Sequence, residues 1–219
     1  HLALTALGIK AGDEVIVPAF SYIATANVVE LVGAKPIFVD IDLQTFNIDV
    51  TKIEAVITQK TKAIIPVHEF GLACDIEAII LLAKKHNLFV IEDAACAFGA
   101  LYKNKHVGSF GDFGSFSLHP RKAITSGEGG VLITNNKQYD EKIKTLRNHG
   151  AEIINEKMDF TEFGFNSRMT DFQAALVYSQ MSRLQDSISY KNKLAAIYFS
   201  EIKSKKIKLP FIPDYSTHT

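Results

Sequence analysis

Cysteine is nearly missing from this chain: of 219 residues only Cys74 and Cys96 carry a thiol. They form no CxxC pair and belong to no spaced framework, so neither a disulfide scaffold nor a zinc site is indicated, and a reducing cytoplasm is the expected setting. An excess of charge is missing too. Lys and Arg number 24 against 24 Asp and Glu, which leaves no electrostatic footprint for nucleic acid or an anionic membrane. The basic run "KSKKIK", Lys203 to Lys208, reads as a solvated helix end. No stretch approaches the roughly 20 apolar residues that a membrane helix needs, and no charged-then-apolar signal segment opens the chain. There is no internal repeat or low-complexity tract, no GxxxxGK[ST] phosphate loop and no metal-ligand spacing of histidines, and the glycines of "GSFGDFG" are wrongly spaced for a dinucleotide fingerprint.

What is present is enough apolar material for a core: 47% of residues are hydrophobic and 22% charged, the balance of a globular protein. Six apolar, β-branched runs bounded by turn residues read as buried strands: "EVIVPAF", "KPIFVDI", "AIIPVHEF", "LFVIEDA", "GSFSLH" and "GGVLITN". Between the first four lie helical patterns, "SYIATANVVELVG", "DVTKIEAVITQK" and "CDIEAIILLAKKHN", with Asp or Ser near each start. This alternation implies βαβ units and an α/β fold of three layers, a mostly parallel central sheet with helices on both faces. Beyond Asn135, "KQYDEKIKTLRNHG", "MTDFQAALVYSQMSRLQ" and "SISYKNKLAAIYFSEIKSKK" read as helices, with an irregular loop from about Ala151 to Arg168. The expected organisation is one large domain over residues 1–185, then a long helix and linker over 186–219 leading toward a small C-terminal domain that is absent. A start at His1 inside an amphipathic helical pattern with no N-cap, and the abrupt end "LPFIPDYSTHT", make the chain read as a fragment.

Open α/β sheets bind ligands at the carboxyl ends of their strands. Here those ends carry Pro18 to Tyr22, His68 to Gly71, Glu92 to Cys96 and Ser117 to Lys122. Lys122 sits in "GSFSLHPRKAITSGEGG", hemmed by Pro120 and by Gly127, Gly129 and Gly130. It reads either as an ordinary loop lysine or as an imine-forming nucleophile held still and partly desolvated so that its amine is neutral some of the time. Asp93 follows "LFVI" directly and stands in a partly dry position; it either caps the next helix or pairs with a cation, which includes a protonated pyridine nitrogen. Ser117 and neighbouring N–H groups suit a phosphate. Tyr22 is either a core aromatic or a ring that stacks on a flat ligand. His68 could touch substrate, although a lone histidine is more often structural, and His119 and His149 read the same way. Lysine, acid, phosphate anchor and aromatic together are the set that pyridoxal phosphate requires.

In order along the chain, "GDEVIVPAFSYIATANVVELVGAKPIFVDID", "AIIPVHEFGLACDIEAI", "VIEDAACAFGA", "VGSFGDFGSFSLHPRKAITSGEGGVLITNN", "LRNHG" and "FGFNSRMTDFQAAL" resemble the DegT-type sugar-nucleotide aminotransferases, fold-type-I enzymes dependent on pyridoxal 5'-phosphate. The resemblance implies a catalytic Lys122 that binds the cofactor aldehyde and shuttles a proton, and a catalytic Asp93 that keeps the pyridine nitrogen protonated. It implies Ser117 at the phosphate and Tyr22 against the ring. Cys96 falls where many relatives carry glutamine or histidine near the ring hydroxyl. Asn166, in "FNSRM", matches an asparagine that reaches a neighbouring subunit's phosphate, which implies a homodimer with shared sites, and Arg168 belongs to the same motif as a substrate-side residue. The family's phosphate-binding Gly-Thr pair would precede His1. The implied reaction moves an amino group from glutamate to a nucleotide-linked keto sugar, for surface polysaccharide, lipopolysaccharide or a related amino sugar. The alternatives are a deoxysugar dehydratase of the same family, in which a histidine resembles the replacement for the lysine, and a non-catalytic regulator that kept the fold.

Overall fold

The computed structural model describes residues 1–219. Its elements run α1 (Leu2–Ala6), β1 (Glu14–Pro18), α2 (Ala24–Leu31), β2 (Lys35–Val39), α3 (Val50–Ile53), β3 (Thr61–Ile64), α4 (Ile76–His86), β4 (Phe89–Asp93), β5 (Leu101–Tyr102), β6 (Lys105–His106), β7 (Phe113–Ser117), β8 (Gly130–Ile133), α5 (Lys137–Leu146), β9 (Ala151–Ile154), β10 (Lys157–Phe160), α6 (Asp171–Met181) and α7 (Leu184–Glu201). All six expected strands enter one sheet, ordered β2-β1-β3-β4-β7-β8. Its pairs are parallel except β7 with β8.

Strand alternation builds two cores from the one sheet. Ile16, Ile64 and Val90 point to the face covered by α3 and α4, where Ile53, Ile76 and Ile79 are buried. Val15, Val17, Ala63 and Ile91 point to the other face, against Leu4 of α1, Val29 of α2 and Ile143 and Leu146 of α5. The helix ends are set by local chemistry. Asp75 accepts the Ala78 N–H at the start of α4, and Asn87 closes that helix in the left-handed region at φ 54°. Thr170 and Gln173 form a reciprocal capping box at the start of α6.

Three expectations change. "DVTKIEAVITQK" yields only α3 and a single 3-10 turn, Glu54–Val56, because Val50, Thr51, Ile53, Val56 and Ile57 lose rotamer freedom in a helix. The loop after Ala151 contains the hairpin β9–β10, turned by Asn155 and Glu156 at φ 50° and 64°. The last residues do not leave the domain: the Thr217 N–H donates to the Leu101 carbonyl at 2.9 Å, the Lys103 N–H to the Tyr215 carbonyl at 2.7 Å and the Ala73 N–H to Ser216 Oγ at 3.0 Å. No helix is long and apolar enough to cross a membrane.

One buried group ties the ligand-facing edge together. The Glu92 side chain is fully buried, and its carboxylate accepts the N–H groups of Gly108 (2.7 Å), Phe110 (2.7 Å) and Gly111 (2.8 Å) and a bond from His68 Nε2 (3.1 Å). His68 Nδ1 accepts the Cys74 N–H at 3.1 Å, so that nitrogen holds no proton and the ring is the neutral Nε2–H tautomer. Glycine lets the tied loop come close, since a Cβ on Gly114 would lie 2.1 Å from the Gly108 carbonyl oxygen.

Burial pushes the Glu92 carboxyl up, but the His68 bond and the Gly111 and Gly108 N–H groups outweigh it and hold the carboxyl below its ordinary value. A depressed carboxylate contributes stability that is full above the unfolded value of about 4.3 and is lost as pH falls through the folded one. Glu92→Gln turns an amide N–H₂ toward existing donors; urea titrations will show it less stable at neutral pH by on the order of 3 kcal/mol, with a flatter loss of stability below about pH 5.

Candidate active site

The carboxyl ends of β3, β4 and β7 and the start of α2 converge on one cleft. Its volume is about 670 Å³, and Thr25, Asp93, Ser117, Gly129, Asn166 and Arg168 are among its walls. β4 and β7 pair so that Asp93 faces Ser115, which places Ser117 on the neighbouring strand just beyond it. Asp93 Oδ2 accepts the Thr25 hydroxyl at 2.8 Å and Oδ1 accepts the Ala95 N–H at 3.1 Å. A carboxylate has about four acceptor positions, so Asp93 keeps capacity for a further donor from the cleft. Ser117 Oγ accepts the His119 N–H at 3.3 Å, which leaves its own proton free to donate.

Lys122 is half-buried. It is not part of the cleft wall; its Nζ donates to Cys96 Sγ at 3.0 Å. Its backbone is pinned as the sequence leads one to expect, but chiefly by other groups than proline and glycine. The Lys122 N–H bonds the His119 carbonyl at 2.9 Å and the Ser126 N–H bonds the Leu118 carbonyl at 3.0 Å. Thr125 Oγ1 donates to the Leu118 carbonyl at 2.7 Å. Gln180 of α6 clamps Thr125 from both sides, accepting its N–H at 3.1 Å and donating to its carbonyl at 2.7 Å. Gly127 and Gly129, at φ 83° and 152°, supply the turn that L side chains resist.

Of the remaining candidates, Tyr22 is 72% exposed at the exit of β1 and lies outside the cleft wall, clear of the core. Cys96 is exposed and meets Lys122. Asn166 and Arg168 line the cleft, with Arg168 Nε donating to Asn166 Oδ1 at 2.8 Å. His68 requires correction as a substrate residue. It has no exposed surface, and both ring nitrogens are taken, one by Glu92 and one by the Cys74 N–H, so it props the floor of the site from below.

Residues that sequence reasoning passed over complete the arrangement. Thr25 is 5% exposed on an otherwise apolar helix face, and a hydroxyl there has to find a partner; that partner is Asp93. Gln180 gave no signal, because its partner lies 55 positions away. Glu69 is 7% exposed, and its Oε1 is buried with no hydrogen-bond partner. Burial pushes the Glu69 carboxyl up, the Asp93 charge adds to this, and the Ser21 hydroxyl and Lys122 oppose it.

An acid with open acceptor positions, a donor hydroxyl on the next strand and a half-buried amine on an adjoining pinned loop fit pyridoxal phosphate, whose ring nitrogen, phosphate and aldehyde need those three groups. Known proteins agree. The model of the DegT/DnrJ/EryC1/StrS aminotransferase family matches residues 1–218. A GDP-perosamine synthase of Caulobacter vibrioides is 48% identical over 198 residues, 90% of this chain and 53% of that protein. A dTDP-3-amino-3,6-dideoxy-alpha-D-galactopyranose transaminase of Aneurinibacillus thermoaerophilus is 43% identical over 218 residues, 99% of this chain and 59% of that one. The crystal structure of S. venezuelae DesV in complex with a ketimine intermediate superposes with a TM-score of 0.93 at 35% identity, covering 99% of this chain and 58% of that one. The chain thus spans a little over half the length of such relatives. With a lysine, an aspartate and a serine brought to one sheet edge and a family match over nearly its whole length, the chain belongs to the DegT/DnrJ/EryC1/StrS aminotransferase family.

Proposed function

We propose that this chain forms the cofactor-binding large domain, residues 1–185, and the long helix and returning segment, 186–219, of a cytoplasmic aminotransferase that moves an amino group from glutamate to a nucleotide-linked keto sugar. The observation that carries this reading is the pairing of Asp93, with acceptor capacity open to the cleft, and Lys122, on a loop clamped from α6. When bound, pyridoxal phosphate supplies an electron-withdrawing ring that stabilises negative charge on the carbon next to the transferred nitrogen. Asp93 is suited to hold a proton on the ring nitrogen, because Thr25 and the Ala95 N–H keep its carboxylate oriented. The Ser117 hydroxyl and nearby N–H groups would take the phosphate.

Lys122 would act twice on one proton. Its neutral amine removes a proton from the donor's carbon, and as an ammonium it returns a proton at the sugar carbon when the second half of the exchange runs the other way. A loop held by Thr125, Ser126 and Gln180 keeps the amine from wandering, which is where positioning lowers a barrier. Cys96, now 3.0 Å from Lys122 Nζ, would sit beside the reacting group, and Tyr22, being exposed beyond the end of β1, is free to cover a ring. A lysine at this position rather than a histidine favours transamination over dehydration.

We also propose a homodimer with shared active sites. Phe163, Phe172 and Tyr178, between 81% and 87% exposed, flank the segment of Asn166 and Arg168 that lines the cleft, and a second copy is the partner that would bury such large apolar side chains next to a site. Nucleotide-linked sugars are the substrates or products in the names of the relatives above.

Two substitutions test the assignment. With glutamate as donor, Lys122→Ala will lose the imine absorbance band of the loaded protein and will slow amino transfer by about 100-fold to 10,000-fold, the usual worth of a positioned acid–base group. Asp93→Asn will retain that band yet slow transfer by about 100-fold or more, since only the charge that stabilises the protonated ring is removed. Full transfer rates in either variant contradict the assignment, and an imine band without any amino transfer in the unmodified protein points to the regulator.

A further inference from the structure

Two reactive side chains meet where the proposed chemistry needs only one. Cys96 Sγ lies 3.0 Å from Lys122 Nζ, across 26 positions of sequence. Both backbones are fixed, so the pairing is built into the fold. The turn 94–97 that carries Cys96 is closed by the Ala97 N–H on the Ala94 carbonyl at 2.9 Å and tied to β7 by the Ala94 N–H on the Ser115 carbonyl at 2.8 Å. The Ala95 N–H ties it to Asp93 as well. On the other side, the Lys122 N–H holds the His119 carbonyl, and Gln180 clamps Thr125 three residues on.

The chemistry open to this pair is oxidative. A thiol attacks an oxidant as its thiolate, and the thiols that do so are exposed and stand beside a cation. Cys96 is exposed, and the Lys122 amine donates to its sulfur. A sulfenic acid formed there finds no second thiol within the chain's surface, because the other cysteine, Cys74, is buried in the core. What it finds is nitrogen, with which a sulfenic acid condenses to a sulfenamide. The flexible stem of a lysine lets Nζ close the remaining gap while the backbone stays pinned.

We propose that Cys96 is an oxidative modification site that locks Lys122: with a peroxide as oxidant, Cys96 Sγ and Lys122 Nζ become joined by a reversible sulfur–nitrogen bond. In the first step the thiolate attacks one oxygen of hydrogen peroxide. The S–O bond forms, the O–O bond breaks, and the departing hydroxide takes up the proton that the thiol released and becomes water; sulfur is oxidised by two electrons and the peroxide is reduced by two. In the second step the neutral Lys122 amine attacks that sulfur. The N–S bond forms, the S–O bond breaks, and the hydroxide leaves with one amine proton as a second water. Two thiols of an external reductant reverse the lock, ending as a disulfide and restoring the Cys96 thiol and the Lys122 amine. While locked, Nζ is no longer a primary amine and cannot condense with an aldehyde, and the sulfur is shielded from the irreversible higher acids.

The cross-link stands independently of the cofactor; its effect on catalysis rests on the aminotransferase reading. Stoichiometric hydrogen peroxide on the cofactor-free protein, followed by non-reducing digestion and mass spectrometry, will give one linked pair of peptides, carrying Cys96 and Lys122 and lighter than their sum by two hydrogen atoms. A thiol reductant will release it. Dimedone, which traps sulfenic acids, will label Cys96 more heavily in Lys122→Arg, where no amine competes for the sulfur. Oxidised protein will fail to develop the imine absorbance when pyridoxal phosphate is added, reductant will restore it, and Cys96→Ser will keep it through the same treatment. Cys96 left unoxidised, oxidised without a link to Lys122, or linked with the oxygen atom retained overturns the proposal; these outcomes are read on the unmodified protein and decide it even if a variant fails to fold. Equal dimedone labelling with and without the Lys122 amine overturns it as well. A link that forms as readily after loading with the cofactor overturns instead the assignment of Lys122 to the aldehyde.

Discussion

The buried carboxylate of Glu92 is the constraint on which the functional edge depends. It gathers three backbone N–H groups from the loop that leads into β7 and a fourth donor from His68 at the exit of β3. Those bonds fix two segments, the loop and the exit of β3, relative to β4, where the residue after Glu92 is Asp93. A carboxylate deep in the protein would be costly if any of these donors were missing, so the loop has to close in one way only. Closure brings β7 into register with β4, and register sets Ser117 one strand away from Asp93.

From that frame the site is assembled by short links from different layers. Thr25 reaches down from α2 to Asp93, and Gln180 reaches across from α6 to the lysine loop. Lys122 is thus held by a helix that lies far along the chain, and Asp93 by a hydroxyl on the helix after β1. Neither catalytic candidate is held by its own strand alone.

The sheet was legible because β-branched runs and their boundaries carry strand information locally: "EVIVP", "LFVIED" and "GGVLI" all became strands of one sheet. Asp93 and Ser117 were legible for the same reason, since the end of an apolar run marks the end of a strand. The shortened α3 was written in its β-branched residues but hidden by the helical spacing of its apolar ones. The hairpin turned at Asn155 and Glu156 lacks the glycine that usually announces such a turn. His68 misled because its position at a strand end says nothing about which way the ring points, and the ring points inward to Glu92. The return of Tyr215–Thr219 onto Leu101, Lys103 and Ala73 depends on pairings across more than a hundred residues, which no local pattern encodes.

The central claim is that one amine, that of Lys122, meets the aldehyde of a bound pyridoxal phosphate. Borohydride reduction of the loaded protein fixes any imine as a stable secondary amine, and mass spectrometry of the digest then locates it. The account predicts a single modified peptide, carrying the cofactor on Lys122. Modification at another lysine, or none at all after stoichiometric loading, would contradict it.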